Sequence, residues 1–111
     1  NPVYVKLSDG RIRNAYTVRI ANMLNDPRTF VFNVAGLDQA QVDIIGAEHA
    51  AQGELFITVG PDQTRELRVL VTHAIDNKHG APVALYFEIR DDLDGRRAFG
   101  KDFFRTPNTV H

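Results

Sequence analysis

The sequence predicts an all-β fold, an antiparallel sandwich of immunoglobulin type with seven to eight strands. Three observations carry this expectation. Apolar and polar residues alternate in short runs along most of the chain. Gly, Pro, Asn and Asp clusters separate the runs. Only one segment, Leu37 to Gln52, offers a helical alternative. A period of two marks a strand with one buried face, and many short strands with turns between them suggest a sandwich.

Each element follows from that pattern. A first strand over 3–7 ends at the Ser8-Asp9-Gly10 corner. The second, over 12–24, sets Tyr16, Val18 and Ile20 against Thr17, Arg19 and Ala21, and Asn25-Asp26-Pro27 closes it. The third, over 29–35, sets Phe30, Phe32 and Val34 against Val31, Asn33 and Ala35, and stops at Gly36. A short fourth covers 42–45. Beyond it, Ala47 to Gln52 has room for one helical turn between Gly46 and Gly53. The fifth, over 55–59, aligns Leu55, Ile57 and Val59 before the Gly60-Pro61-Asp62 turn. The sixth, over 65–73, places Leu67, Val69 and Val71 opposite Glu66, Arg68, Leu70 and Thr72. After Lys78-His79-Gly80, the seventh, over 83–91, aligns Val83, Leu85, Phe87 and Ile89. Asp94-Gly95 turns the chain into a last strand over 97–104. β-branched and aromatic residues fill these runs, as a pleated, half-buried surface favours.

The bulk numbers fit one domain over 1–111. A chain of 111 residues, 43% apolar and 24% charged, can bury a single core without a metal or a disulfide. The net charge of −1 supplies no global field toward nucleic acid or an anionic membrane. There is no cysteine, which removes disulfides, thiolate catalysis and cysteine-held clusters from this chain. No apolar run approaches the ~20 residues of a bilayer-spanning helix. The chain opens on Asn1 and its single methionine is Met23, so a processed product or a piece of a larger protein is expected.

Motifs that imitate active sites fail on their spacing. Gly10 stands alone before a strand pattern, where a phosphate cradle needs several glycines at a helix start. "GRRAFGKD", Gly95 to Asp102, resembles a nucleotide-binding loop but ends in Asp102 instead of Ser or Thr, with no helix after it. "RDDLDG", Arg90 to Gly95, imitates a calcium loop, yet Arg90 and Lys101 occupy the two key carboxylate positions. Ser8 is the only serine and sits in no nucleophile elbow. No catalytic constellation is therefore expected.

Binding chemistry leaves three possibilities. A weak copper site could use His73 and His79, which flank one loop, or Met23; His49 and His111 stand apart. Exposed aromatics, with Tyr4, Tyr86 and Phe56 as candidates, could form a carbohydrate-binding or adhesion platform. Arg11, Arg13 and Arg19 share one face of the second strand, opposite Ile12, Tyr16, Val18 and Ile20. That face is a solvated exterior or a surface for a protein partner.

The opening segment carries more. Pro2, Tyr4, Val5, then Leu7-Ser8-Asp9-Gly10, then Ile12-Arg13-Asn14, Tyr16 and Thr17, resemble the start of the C-terminal domain of the FixG/CcoG family. "FVFNVAGL", "VGPDQTRELRVLV" and "FFRTP" resemble later blocks of it. One departure is Ile20 to Thr29, where the family has a more lysine-rich turn. The resemblance implies a parent membrane protein with several spans and a cysteine-rich part holding iron–sulfur clusters. It implies a role in maturation of cbb-type cytochrome oxidase, through electron handling for copper delivery. The sandwich would then be a non-catalytic domain on the periplasmic side of the inner membrane. Its partners would be oxidase maturation factors or the rest of the parent, with no nucleic acid. Cluster ligands would lie upstream, so this chain would carry no cofactor of its own.

Overall fold

The computed structural model describes residues 3–46, 48–49, 54–74 and 82–105. Nine strands run in chain order: β1 (Val3–Lys6), β2 (Ile12–Asn22), β3 (Arg28–Ala35), β4 (Gln41–Ile45), β5 (Glu48–His49), β6 (Leu55–Val59), β7 (Gln63–His73), β8 (Val83–Asp91) and β9 (Arg97–Phe104). They form two antiparallel sheets, ordered β1-β2-β7-β4 and β5-β6-β3-β8-β9. Eight of them are the strands that alternation predicts, with ends moved by one or two residues. The ninth, β5, pairs only Glu48 and His49 with Phe56 and Leu55 of β6. It falls in the segment with room for a helical turn; residues 47 and 50–52 of that segment lie outside the described residues.

The inward faces match the alternation. Ile12, Tyr16 and Ile20 of β2 meet Leu67, Val69 and Val71 of β7, Phe32 of β3, Ile57 and Val59 of β6, and Leu85 and Phe87 of β8. Tyr16 stands edge-on to Phe87 at 5.1 Å between ring centroids, and Phe32 tilts against the same ring at 5.8 Å. Edge-to-face contact suits the ring quadrupoles and adds to the burial of apolar area that drives folding.

Two outward positions are buried against expectation. Val31 lies on the outer face of its sheet between Phe56 and Arg90, and Thr72 lies between Arg13 and Gln41. Both sit mid-sheet, where the stems of long neighbouring side chains cover a small residue.

Gly36 ends β3 at φ +104°, a conformation that side chains resist. A Cβ there would stand 2.5 Å from the carbonyl oxygen of Ala84, so both geometry and space require glycine.

Candidate functional site

The second strand supplies the residues that sequence singled out and two that it missed. Arg13 and Arg19 do point away from the core, and Arg11 precedes them on the approach to β2. They do not gather. Eight residues of extended chain separate Arg11 from Arg19, about 26 Å. Arg11 donates from Nε to Oδ2 of Asp9 at 2.8 Å and from Nη1 to Gln41 at 3.2 Å. Arg13 donates to the Thr72 hydroxyl at 3.3 Å. Arg19 pairs with Glu66 at 2.9 Å in open solvent. The backbone N–H and side chain of Arg11 hold the Asp9 carboxyl below its ordinary range, so the Ser8-Asp9-Gly10 corner is clasped by its own charges.

Inward on the same strand lie Asn14 and Asn22, both buried. Asn14 mimics a strand partner for the end of β9. Its amide donates to the Arg105 carbonyl at 2.9 Å, and its oxygen accepts the Arg105 N–H at 2.8 Å. The Tyr16 hydroxyl donates to the Phe103 carbonyl at 2.8 Å. Burial, with the nearby Asp102 charge adding to it, pushes the Tyr16 hydroxyl well above its ordinary pKa. Asn22 latches two turns. Its amide donates to the carbonyls of Asp26, Val59 and Gly60, and its oxygen accepts the Leu24 N–H. A polar residue at a core-facing step of the alternation was the available signal for both asparagines.

Of the metal candidates, Met23 and His73 lie far apart. Met23 follows the end of β2 where Asn22 meets Gln63, while His73 meets Ile12 at the other end. Ten residues of strand, about 33 Å, lie between. Nε2 of His73 donates to the Asp38 carbonyl at 2.7 Å, and its ring meets Phe104 edge-on. His79 and His111 lie outside the described residues, and for His49 only the backbone is described. Among the described residues no group of three His, Asp or Glu side chains is placed to hold a metal ion.

The aromatic candidates separate as well. Tyr4 belongs to the four-stranded sheet, while Tyr86 and Phe56 belong to the other, two strands apart. A different set does converge. Tyr86, Phe99 and Phe103 are exposed on β8 and β9, with the Lys101 ammonium 6.0 Å from the Tyr86 ring centre and 5.4 Å from that of Phe103.

The two imitation loops prove structural. "RDDLDG" is a hairpin turn whose carboxylates bind protein groups. Asp91 accepts the N–H groups of Leu93 at 2.8 Å and Asp94 at 3.3 Å, and Arg28 bridges Asp91 and Asp94 at 2.8 and 3.0 Å. Burial alone would raise the Asp91 pKa. The Leu93 N–H, the Arg28 guanidinium and the Asp94 N–H outweigh it and hold the carboxyl below its ordinary value. "GRRAFGKD" is the end of that turn and most of the strand β9.

Clefts open between the described residues. One of 560 Å³ is lined by Phe32, Val34, Val42 and Leu55, together with Glu54 and Arg90. Two smaller ones, 280 and 300 Å³, share Ile89 and Ala98 and run along the side of the sandwich between β2 and β9.

Comparison with known proteins agrees with this architecture. The family model described as "IG-like fold at C-terminal of FixG, putative oxidoreductase" matches residues 1–107. The chain is 35% identical over 72 residues to the nitrogen fixation protein FixG of Rhizobium meliloti, covering 65% of this chain and 14% of that protein. It is 53% identical over 72 residues to protein RdxA of Cereibacter sphaeroides, with the same coverage, 65% and 14%. The chain thus spans about one seventh of the curated relatives it matches. The crystal structure of a FixG-related protein from Vibrio parahaemolyticus superposes with a TM-score of 0.73 at 15% identity, covering 99% of this chain and 94% of that one. At that identity the likeness speaks for the fold.

Proposed function

The chain belongs to the FixG C-terminal immunoglobulin-like family, and from that premise we propose that it is a non-catalytic contact domain of a FixG-type protein. Its work is protein–protein contact during assembly of a cbb-type cytochrome oxidase, or in the copper and electron handling that precedes assembly. It acts on the periplasmic side of the inner membrane, as part of an integral membrane parent. Iron–sulfur clusters belong to the upstream part of that parent.

One observation carries the reading. The polar side chains that could suggest chemistry are engaged in holding strands and turns together. Asn14, Tyr16, Asn22, Arg28 and Asp91 all have partners within the fold. What the domain leaves free is surface, in the form of strand edges, exposed aromatics and cations. Sheet edges and polar faces are what a sandwich offers to another protein.

The test is removal of this domain from the full-length parent in a bacterium that makes cbb-type oxidase. Membranes are then assayed for oxidase activity, oxidase subunits and copper content. The expected result is a clear fall in assembled oxidase with the truncated parent still present. Normal assembly at normal parent abundance overturns the proposal.

A further inference from the structure

Along one long side of the sandwich, two strand edges lie bare among the described residues. Among the described residues, β1 covers the edge of β2 from Ile12 to Ala15. From Tyr16 to Asn22, β2 pairs with β7 alone, and β9 pairs with β8 alone, among the described residues. These two bare edges flank the paired clefts of 280 and 300 Å³. The walls and floor include Val18, Ile20, Phe30, Phe87 and Ile89, core residues reached from outside.

The residues of β9 make room there. Those turned toward the opposite sheet are Ala98, Gly100, Asp102 and Phe104, and the first two are the smallest available. A Cβ added at Gly100 meets nothing within 4 Å. The residues turned outward are Arg97, Phe99, Lys101 and Phe103, and Phe99 is 67% exposed. A strand laid beside β9 would therefore meet an apolar trough on its inner face and cations with aromatics on its outer face.

Charge chooses among the occupants. From Arg96 to Arg105 there are four cations against one carboxylate, a local +3 in a chain whose net charge is −1. A second copy is disfavoured, because β9 laid against β9 in any register brings two segments of +3 together, and pairing about Phe99 sets Arg97 against Lys101. Like charges directly opposite one another destabilise a strand pair. A segment with acidic residues on one face and apolar residues on the other satisfies both faces.

We propose that the seam between β2 and β9 is an acceptor groove for an extended segment of a partner protein, in which acidic and apolar residues alternate and which adds to the free edge of β9. Main-chain hydrogen bonds to β9 supply pairing, and the alternate side chains supply selection. The proposal rests on the contact-domain reading and names the surface and the partner chemistry for it.

The experiment uses the 111-residue chain, isotope-labelled, with a capped decapeptide of alternating Asp and Val as probe and the Lys–Val version as its counterpart. Amide resonances over 96–104 are followed during titration. The Asp–Val peptide is expected to shift them and to bind at least tenfold tighter than the Lys–Val peptide. Gly100→Leu, which fills the trough, is expected to weaken binding at least tenfold with the thermal midpoint kept. The exposed double change Arg97→Glu with Lys101→Glu serves if Gly100→Leu does not fold, and it should reverse the preference between the peptides. No binding at millimolar peptide, equal binding of both peptides, or shifts that spare 96–104 overturn the proposal. So does sedimentation showing a dimer that Lys101→Glu stabilises, or capture by phosphatidylglycerol vesicles through the same residues without peptide binding. These outcomes stand apart from the oxidase assay. Peptide binding with normal oxidase assembly sinks only the proposed function, and an assembly defect without peptide binding sinks only the groove.

Discussion

The two halves of β2 face the same strand, β9, and treat it differently. In the first half, Asn14 and Tyr16 reach across the sandwich and hydrogen-bond the backbone of Phe103 and Arg105. In the second half, Val18 and Ile20 offer only hydrocarbon, and a cleft remains between them and Ala98 and Gly100. The far end of β9 is secured again, through the hairpin that Arg28 ties to Asp91 and Asp94. β9 is thus pinned at both ends and bare in the middle. Closure of this sandwich depends on a few buried polar contacts, because hydrophobic burial is non-directional and does not fix where an edge strand must lie.

The largest expected effect comes from breaking the closed half. Asn14→Ala leaves the N–H and C=O of Arg105 without protein partners and removes a buried two-way bond. It should lower the unfolding free energy by about 3 kcal/mol. Urea denaturation measures this, and hydrogen exchange should speed at residues 103–105 before it does elsewhere. A loss under about 1 kcal/mol would mean that the end of β9 is held by apolar packing, and the contrast between halves would lose its cause.

Next is the hairpin pin. Arg28→Met keeps the aliphatic stem and removes the guanidinium from two carboxylates. The expected loss is about 2 kcal/mol at neutral pH, less than the removal of a partner from a fully buried pair, because Asp91 keeps its N–H donors. The pH dependence has a definite sign. The Asp91 pKa is held below its ordinary 3.8, so this group contributes stability above that pH and loses it as pH falls through and below it. Asp91→Asn, which keeps the oxygen that accepts from Leu93, should flatten the acid side of the stability profile. An unchanged acid limb in Asp91→Asn would assign the acid sensitivity to other carboxylates.

Tyr16→Phe probes the same closed half more gently. It removes one hydroxyl bond to the Phe103 carbonyl and keeps the ring against Phe87, for an expected loss of about 1 kcal/mol. The Tyr16 pKa is raised in the fold, first by burial and then by Asp102, so its contribution holds below the ordinary 10 and declines as pH rises above it. The wild-type chain should therefore lose stability in alkali that Tyr16→Phe does not.

Much of the fold was legible in the sequence because one-sided burial writes a period of two. β2, β7 and β8 show it most plainly, and their inward rows are the core. β9 shows why the rest was not. Its sequence, RAFGKDFF, does not alternate, and the strand is almost wholly exposed, because being an edge is a property of pairing and not of the strand itself. Asn14 and Asn22 stand in the sequence only as polar steps on an apolar face. Their partners, Arg105, Val59 and Gly60, are distant in the chain, and no local pattern joins them. Alternation gave the direction of Arg13 and Arg19 but not their spacing in the folded strand, since it says nothing of how closely residues eight apart can gather. The same limit hides that Met23 and His73 lie at opposite ends of the β2–β7 pair.

The smallest expected effect lies in the open half. Arg19 lines the cleft and pairs with Glu66, but the two side chains are 73% and 59% exposed. An ion pair so wetted is screened and gains little over two solvated charges, so Arg19→Ala should change stability by no more than about 0.5 kcal/mol. The same substitution removes a cation from the mouth of the groove, so it should weaken an acidic strand there while the thermal midpoint stays. That pattern, binding altered and stability kept, is the reverse of what Asn14→Ala should give. A loss above about 1 kcal/mol for Arg19→Ala would show that the open half is stitched by charge as the closed half is by amide. The bare middle of β9 would then be an ordinary solvated edge, guarded by its cations against pairing of any kind.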